Sequence, residues 1–161
     1  FNKTYGDSGP QNFLSVDEIT GGGFILVGFS DPSGIDPDVL LVKVDANGII
    51  IFSKTYGGSN LLSDVGFSVK QTTDLGFIIC GDTRNFGAGG QDIYLIKTDQ
   101  NGNIQFTKTY GGTGNETGRD VQQTIDGGYV ITGQTNSIGA GDDDIFIIKT
   151  DPNGNVQFGF A

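Results

Sequence analysis

The chain has 161 residues, enough for one domain with a sizeable core. Its net charge is −10, with 17 Asp against two Glu, and it contains no His and a single Cys. These values argue against binding to nucleic acid or anionic membranes, exclude catalytic sites that need histidine, and rule out an internal disulfide. No run of about 18 apolar residues occurs, so we predict no membrane insertion.

One phrase recurs along the chain and divides it into similar segments. It reads "FNKTYGDSG" at Phe1, "FSKTYGGSN" at Phe52 and "FTKTYGGTG" at Phe106, and a further Phe follows at Phe158. The intervals are 51, 54 and 52 residues. Other residues keep the same spacing, namely Gly28, Gly81 and Gly133, then Asp38, Asp92 and Asp144, then Lys43, Lys97 and Lys149. The chain therefore contains three copies of one unit.

Each unit reads as four short β-strands. In the third copy these are "DVQQT" from Asp120, "YVITGQT" from Tyr129, "DIFIIKTD" from Asp144 and "NVQFGF" from Asn155. Turns rich in Asp-Gly and Asn-Gly separate the strands, and no segment has the period or length of an ordinary helix. We predict an all-β fold.

The third strand of each unit is apolar on both faces. It reads "VLLVKV" from Val39, "IYLIKT" from Ile93 and "IFIIKT" from Ile145. A sheet with one solvated face would alternate polar and apolar residues, so we expect both faces of each sheet to be covered. Four-stranded units of this length with two covered faces are typical of β-propeller blades.

The stretches "KTYGG", "DGGYVITGQT" and "DIFIIKTDPNGN" resemble the glycine-rich repeats of about 50 residues found in secreted and surface proteins of bacteria and archaea. The resemblance covers nearly the whole chain. The first copy departs most, with "TGGGFILVGFS" and the loop "DPSGIDPD". The resemblance implies a propeller-like fold and an extracellular or cell-surface location. It does not by itself point to any activity.

The phase of the repeat predicts one repeat domain over residues 1–161, with a spare N-terminal strand at 1–6 and blades at about 7–57, 58–111 and 112–161. Three blades are too few to close a ring. We therefore expect a six-bladed ring made by a dimer, a chain cut from a longer propeller, or strand addition between molecules. The residues predicted to add the strand are Phe1, Asn2, Lys3, Thr4 and Tyr5.

Three sets of polar residues are candidate sites. Asp142, Asp143 and Asp144 form the densest acidic cluster, which could bind calcium or could be a solvated loop. Tyr5, Tyr56 and Tyr110 recur, so they could stack on sugars or pack between blades. The recurring lysines are predicted to form structural ion pairs within each blade, with the recurring Asp as one candidate partner.

We predict a non-enzymatic extracellular or cell-surface module that assembles or adheres through its blade faces and an edge strand. The partner would be a second copy or further blades of the same parent protein, and no cofactor is predicted apart from the calcium candidate. The alternative is a propeller that binds glycans or another protein. A third hypothesis is an enzyme with paired aspartates, such as a glycosidase.

Overall fold

The computed structural model describes residues 2–6, 9–58 and 61–160. These residues form β-strands and no helix, so no helix of the described chain could cross a membrane. The strands are β1 Gln11–Glu18, β2 Phe24–Ser30, β3 Asp38–Val44, β4 Ile50–Tyr56, β5 Asp64–Gln71, β6 Phe77–Thr83, β7 Asp92–Thr98, β8 Ile104–Tyr110, β9 Glu116–Gln123, β10 Tyr129–Thr135, β11 Asp144–Thr150 and β12 Val156–Phe160.

The strands form three antiparallel four-stranded sheets, each in simple chain order. Sheet 1 contains β1 to β4, sheet 2 contains β5 to β8, and sheet 3 contains β9 to β12. The predicted all-β fold with four strands in each unit is therefore confirmed. β9 begins four residues before the predicted start, because Glu116, Thr117 and Gly118 are buried and pair with β10 despite the weak β-propensity of Glu and Gly.

The recurring D-x-N-G turns join the last two strands of each sheet. In the first, Asp45 Oδ1 accepts hydrogen bonds of 2.8 Å from the backbone N–H groups of Asn47 and Ile49. Gly48 has a φ of 73°, a conformation that favours glycine. Asp99 and Asp151 make the same bonds in sheets 2 and 3. These bonds lower the pKa of each turn aspartate, and they explain the Asp and the Gly of the motif.

The sheets pack in series. We call the side of a sheet that faces the following sheet its forward face, and the opposite side its rear face. Ile25, Val27, Val39 and Leu41 on the forward face of sheet 1 share a core with Val69, Phe77, Ile79, Tyr94 and Ile96 on the rear face of sheet 2. The forward face of sheet 2 forms a second core with sheet 3, built from Ile78, Cys80, Ile93, Leu95, Val121, Tyr129, Ile131, Phe146 and Ile148. Both faces of sheet 2 are thus buried.

The array does not close on itself within the described residues, and the predicted N-terminal strand is not formed. Residues 2–6 belong to no strand, and Phe1 lies outside the described residues. A strand needs a neighbour to hydrogen-bond with, and no described strand lies beside this segment in a ladder. The spare strand predicted at 1–6, which would pair with a neighbouring molecule, therefore stays a prediction.

Candidate functional site

The forward face of sheet 3 is open to solvent. Ile145 is 77% exposed and Ile147 is 39% exposed. The equivalent residues in the other sheets are fully buried, namely Val39 and Leu41 in sheet 1 and Ile93 and Leu95 in sheet 2. In the isolated chain, the apolar residues that are covered inside the array are therefore exposed on β11, at its end. Its sequence carries no signal of this difference, because Ile145 and Ile147 repeat the residue types that are buried elsewhere.

The rear face of sheet 1 is largely covered by residues from its own end of the chain. Leu40 and Val42 of β3 are buried, and Tyr5 and Phe13 pack on them. Val16 stays exposed at 56%, whereas the equivalent Val69 is fully buried. Phe13 stands where sheets 2 and 3 have Gly66 and Gly118, at which a methyl group would lie 2.5 Å from Val27 and 2.3 Å from Cys80 Sγ of the preceding sheet. The two ends of the array therefore differ.

Tyr5, Tyr56 and Tyr110 occupy equivalent positions. The Tyr56 hydroxyl, at the end of β4, donates a 2.8 Å hydrogen bond to Gly102 O in the turn of sheet 2. The Tyr110 hydroxyl donates to Gly154 O of sheet 3 at 2.7 Å, and the Tyr5 hydroxyl donates to Gly48 O of sheet 1 at 2.6 Å. The N-terminal segment thus lies on sheet 1 as β4 lies on sheet 2.

These contacts bear on sugar binding. Tyr56 is buried and Tyr110 is partly buried between adjacent sheets, and burial raises the pKa of both hydroxyls. Stacking of a sugar on Tyr56 would require the sheets to separate. The packing explains the recurrence of these residues, and sugar stacking stays a prediction for which the geometry gives no support.

Two of the three recurring lysines pair with aspartates, although not with the recurring Asp of the third strands. Lys97 Nζ lies 2.8 Å from Asp74 Oδ2, and Lys149 Nζ lies 2.9 Å from Asp126 Oδ2. Both aspartates sit in the turn between the first two strands of the same sheet. In sheet 1 the equivalent residue is Gly21, and Lys43 instead lies 5.5 Å from the centre of the Phe77 ring.

The acidic cluster at Asp142, Asp143 and Asp144 lies in and beside the β10–β11 loop. Asp144 Oδ2 accepts a 2.8 Å hydrogen bond from the Ala140 N–H, which holds the loop. Gln134 Nε2 donates to Asp143 Oδ2 at 3.3 Å. Within the described residues, no three Asp, Glu, His or Cys side chains converge as a metal site. Calcium binding at Asp142–Asp144 stays a prediction.

Comparison with known proteins does not assign the chain to a family. No model of a known protein family matches the chain, and no curated protein matches it. The resemblance to glycine-rich repeats of secreted and surface proteins therefore stays a prediction. The open forward face of sheet 3 is the candidate functional site that the structure itself provides.

Proposed function

We propose that the chain is a non-enzymatic structural module, located outside the cell or at its surface, that assembles through its sheet faces. Its three sheets would serve as β-propeller-type blades. The forward face of sheet 3 would bind a second copy of the chain, with the N-terminal segment adding an edge contact. The observation that carries the proposal is the exposure of Ile145 and Ile147 on a face that is fully buried in the other two sheets.

The internal junctions support the choice of partner. Inside the chain this kind of face is covered twice, and both times by another sheet of the same repeat. Ile145 and Ile147 retain the aliphatic character of the residues buried there. An exposed apolar face of this kind is typical of an interaction site. A second copy supplies sheets of the matching type.

The edge of β11 supports a contribution from the N-terminal segment. β8 pairs with β7 from Ile93 onward, whereas β12 pairs with β11 only from Ile147 onward. The described part of β12 ends at Phe160, opposite Ile147, so the partners of Ile145 and Phe146 on that edge lie outside the described residues. By equivalence with β8, the residues that would pair there are a threonine and a tyrosine, which residues 4 and 5 supply.

Ile145→Asp tests the proposal. A charge on this face would have to be desolvated, so we expect the association constant of the chain to fall at least about tenfold. Sedimentation velocity over a range of concentrations measures this fall. Ile104→Asp is the matched control, because Ile104 is 52% exposed on the outer strand of the middle sheet, away from either end of the array.

Equal self-association of wild type and Ile145→Asp would contradict the proposal. Deletion of residues 1–6 tests the edge contact separately, and we expect it to weaken assembly while Ile145→Asp disrupts it. Assembly that survives the deletion unchanged would leave the face contact standing and remove the edge contact from the account.

A further inference from the structure

We propose that the junction between sheets 1 and 2 holds a calcium ion, bound by the side-chain oxygens of Asp38, Asp64 and Asn85 with Asp36 beside them. The inference concerns a different part of the molecule from the open face of sheet 3. It is independent of whether the chain assembles.

The first observation is a set of side-chain oxygens that are buried and have no hydrogen-bond donor. Within the described residues, four buried side-chain oxygens or nitrogens have no partner, and all four are oxygens at this junction. They are Asp36 Oδ1, Asp38 Oδ1, Asp64 Oδ1 and Asn85 Oδ1. Burial of an unpaired carboxylate oxygen is costly, so a cluster of them calls for a positive partner. Asp64 is fully buried, so water does not supply one readily.

The second observation is that these groups surround a cradle that only glycine backbone leaves open. A methyl group added at Gly57 would lie 1.6 Å from Asp38 Oδ1 and 2.8 Å from Asp64 Oδ2. A methyl group at Gly58 would lie 2.6 Å from Asn85 Oδ1. Asn85 also donates from Nδ2 to Asp64 Oδ2 at 2.8 Å, which holds its amide against the carboxylate. The carboxylates of Asp38 and Asp64 thus both lie against Gly57, and the Asn85 amide lies against Gly58, so the proposed ligands are close together.

The junction between sheets 2 and 3 shows how the same positions look when protein donors satisfy them. There Glu116 replaces Asp64, and Ser137 replaces Asn85. Thr135 and Ser137 donate their hydroxyls to Glu116 Oε1, and the Gly112 N–H donates to Oε2 at 2.8 Å. Asp92, which replaces Asp38, accepts from two backbone N–H groups at 3.1 Å. At the first junction one of these hydroxyl donors, that of Ser137, is replaced by the Asn85 amide, whose Oδ1 has no donor.

The Asp64 carboxylate at the first junction accepts hydrogen bonds from the Gly58 N–H and from Asn85 Nδ2, but no cationic side chain balances its charge within the described residues. None of the ion pairs found in the described residues includes Asp36, Asp38 or Asp64. Calcium in proteins binds oxygen ligands, including carboxylates and amide groups, in a flexible geometry. Since no three acidic side chains of the described residues converge as a metal site, the proposed ligands are two carboxylates, Asp38 and Asp64, and the amide oxygen of Asn85, a ligand type that calcium also accepts.

The test uses terbium, a calcium analogue whose luminescence is excited through a nearby tyrosine. Tyr94 lies beside the cluster, where burial and the charge of Asp64 raise its pKa to about 12. We expect the full chain, stripped of metal by a chelator, to bind terbium saturably with one ion per chain, and added calcium to displace it. Tyr94→Phe should remove most of the luminescence while calcium binding, measured by calorimetry, persists.

Substitutions of the proposed ligands test where the ion binds. We expect Asp38→Asn and Asp64→Asn each to weaken calcium binding at least about tenfold, since each removes a charged ligand. Asp92→Asn is the matched control, because it makes the same change at the satisfied junction. Asp36→Asn, at a partly buried loop residue, provides a milder variant that tests the same cluster if the buried changes impair folding.

Two results would overturn the proposal. One is the lack of saturable binding of calcium or terbium to the wild-type chain. The other is binding that survives in folded Asp38→Asn and Asp36→Asn but is lost in Asp143→Asn, which would place the ion in the β10–β11 loop.

Discussion

Asp82 shows how burial acts on a single residue of this acidic chain. It lies on β6, is 7% exposed, and accepts a 2.7 Å hydrogen bond from Gln91 Nε2. Burial raises its pKa to about 6, while Arg84 and Arg119 act in the opposite direction. An Asp with a raised pKa in the folded state favours folding while it is protonated, and this advantage is lost as it ionises.

The sign of the pH dependence follows from the two pKa values. The pKa of Asp82 is about 6 in the folded chain and 3.8 as the ordinary value, so the free energy of unfolding falls as pH rises from about 4 to 6. The loss amounts to about 3 kcal/mol for this residue. Asp38 and Asp64 act in the same direction. We expect Asp82→Asn to remove the Asp82 part and to be more stable than wild type at pH 7.

Urea unfolding of both proteins at pH 4 and pH 7 measures the difference. The turn aspartates have lowered pKa values, so their contribution to the free energy of unfolding falls at low pH. Both proteins contain them, so this contribution cancels when the two proteins are compared. If the variant and the wild type change in parallel between these pH values, Asp82 is not the group responsible.

At the scale of the strand, the recurring Gly of the second strand has a steric cause. A methyl group at Gly81 of β6 would lie 1.8 Å from Val65 O on β5, beside an irregularity in the register after Gly66. A methyl group at Gly28 would likewise lie 1.8 Å from Asn12 O on β1, and one at Gly133 would lie 2.1 Å from Thr117 O on β9. The repeat therefore needs glycine where the first strand bulges toward the second.

Gly81→Ala should lower the free energy of unfolding by about 3 kcal/mol or more, because backbone rather than a side chain would have to move. Gly159→Ala in β12 is the control, since its nearest neighbour would be at 3.6 Å, and we expect a change within about 0.5 kcal/mol. Thermal unfolding of the two variants checks this. A tolerated Gly81→Ala would mean that β5 and β6 can separate locally at little cost.

The strands were predictable because each carries a local signal that repeats three times. The D-x-N-G turns and the β-rich runs of β10 and β11 depend on neighbours in the chain, and sequence places these well. The partner of Lys97 was not predictable, because Asp74 is brought near by the register of the sheet rather than by spacing. The residue types of β11 do not signal the exposure of Ile145, because burial depends on which sheet lies opposite.

At the scale of the whole molecule, the three sheets form a series with unequal ends. Sheet 1 is covered by Tyr5 and Phe13, whereas sheet 3 presents Ile145 and Ile147 to solvent. If the open apolar face of one copy packs against the same face of a second copy, the result is a closed dimer. If the partly exposed rear face of sheet 1 also takes part, head-to-tail contact gives a ring or a filament. The exposed Val16 marks the place where that second contact would form.

The mass of the unaltered chain in solution tests the central claim most directly. Light scattering over a range of concentrations should give masses above the 16.9 kDa of one chain that increase with concentration, with rings or filaments visible by electron microscopy if both ends engage. A mass of 16.9 kDa at every concentration would contradict the account, because the open face of sheet 3 would then not bind a second copy.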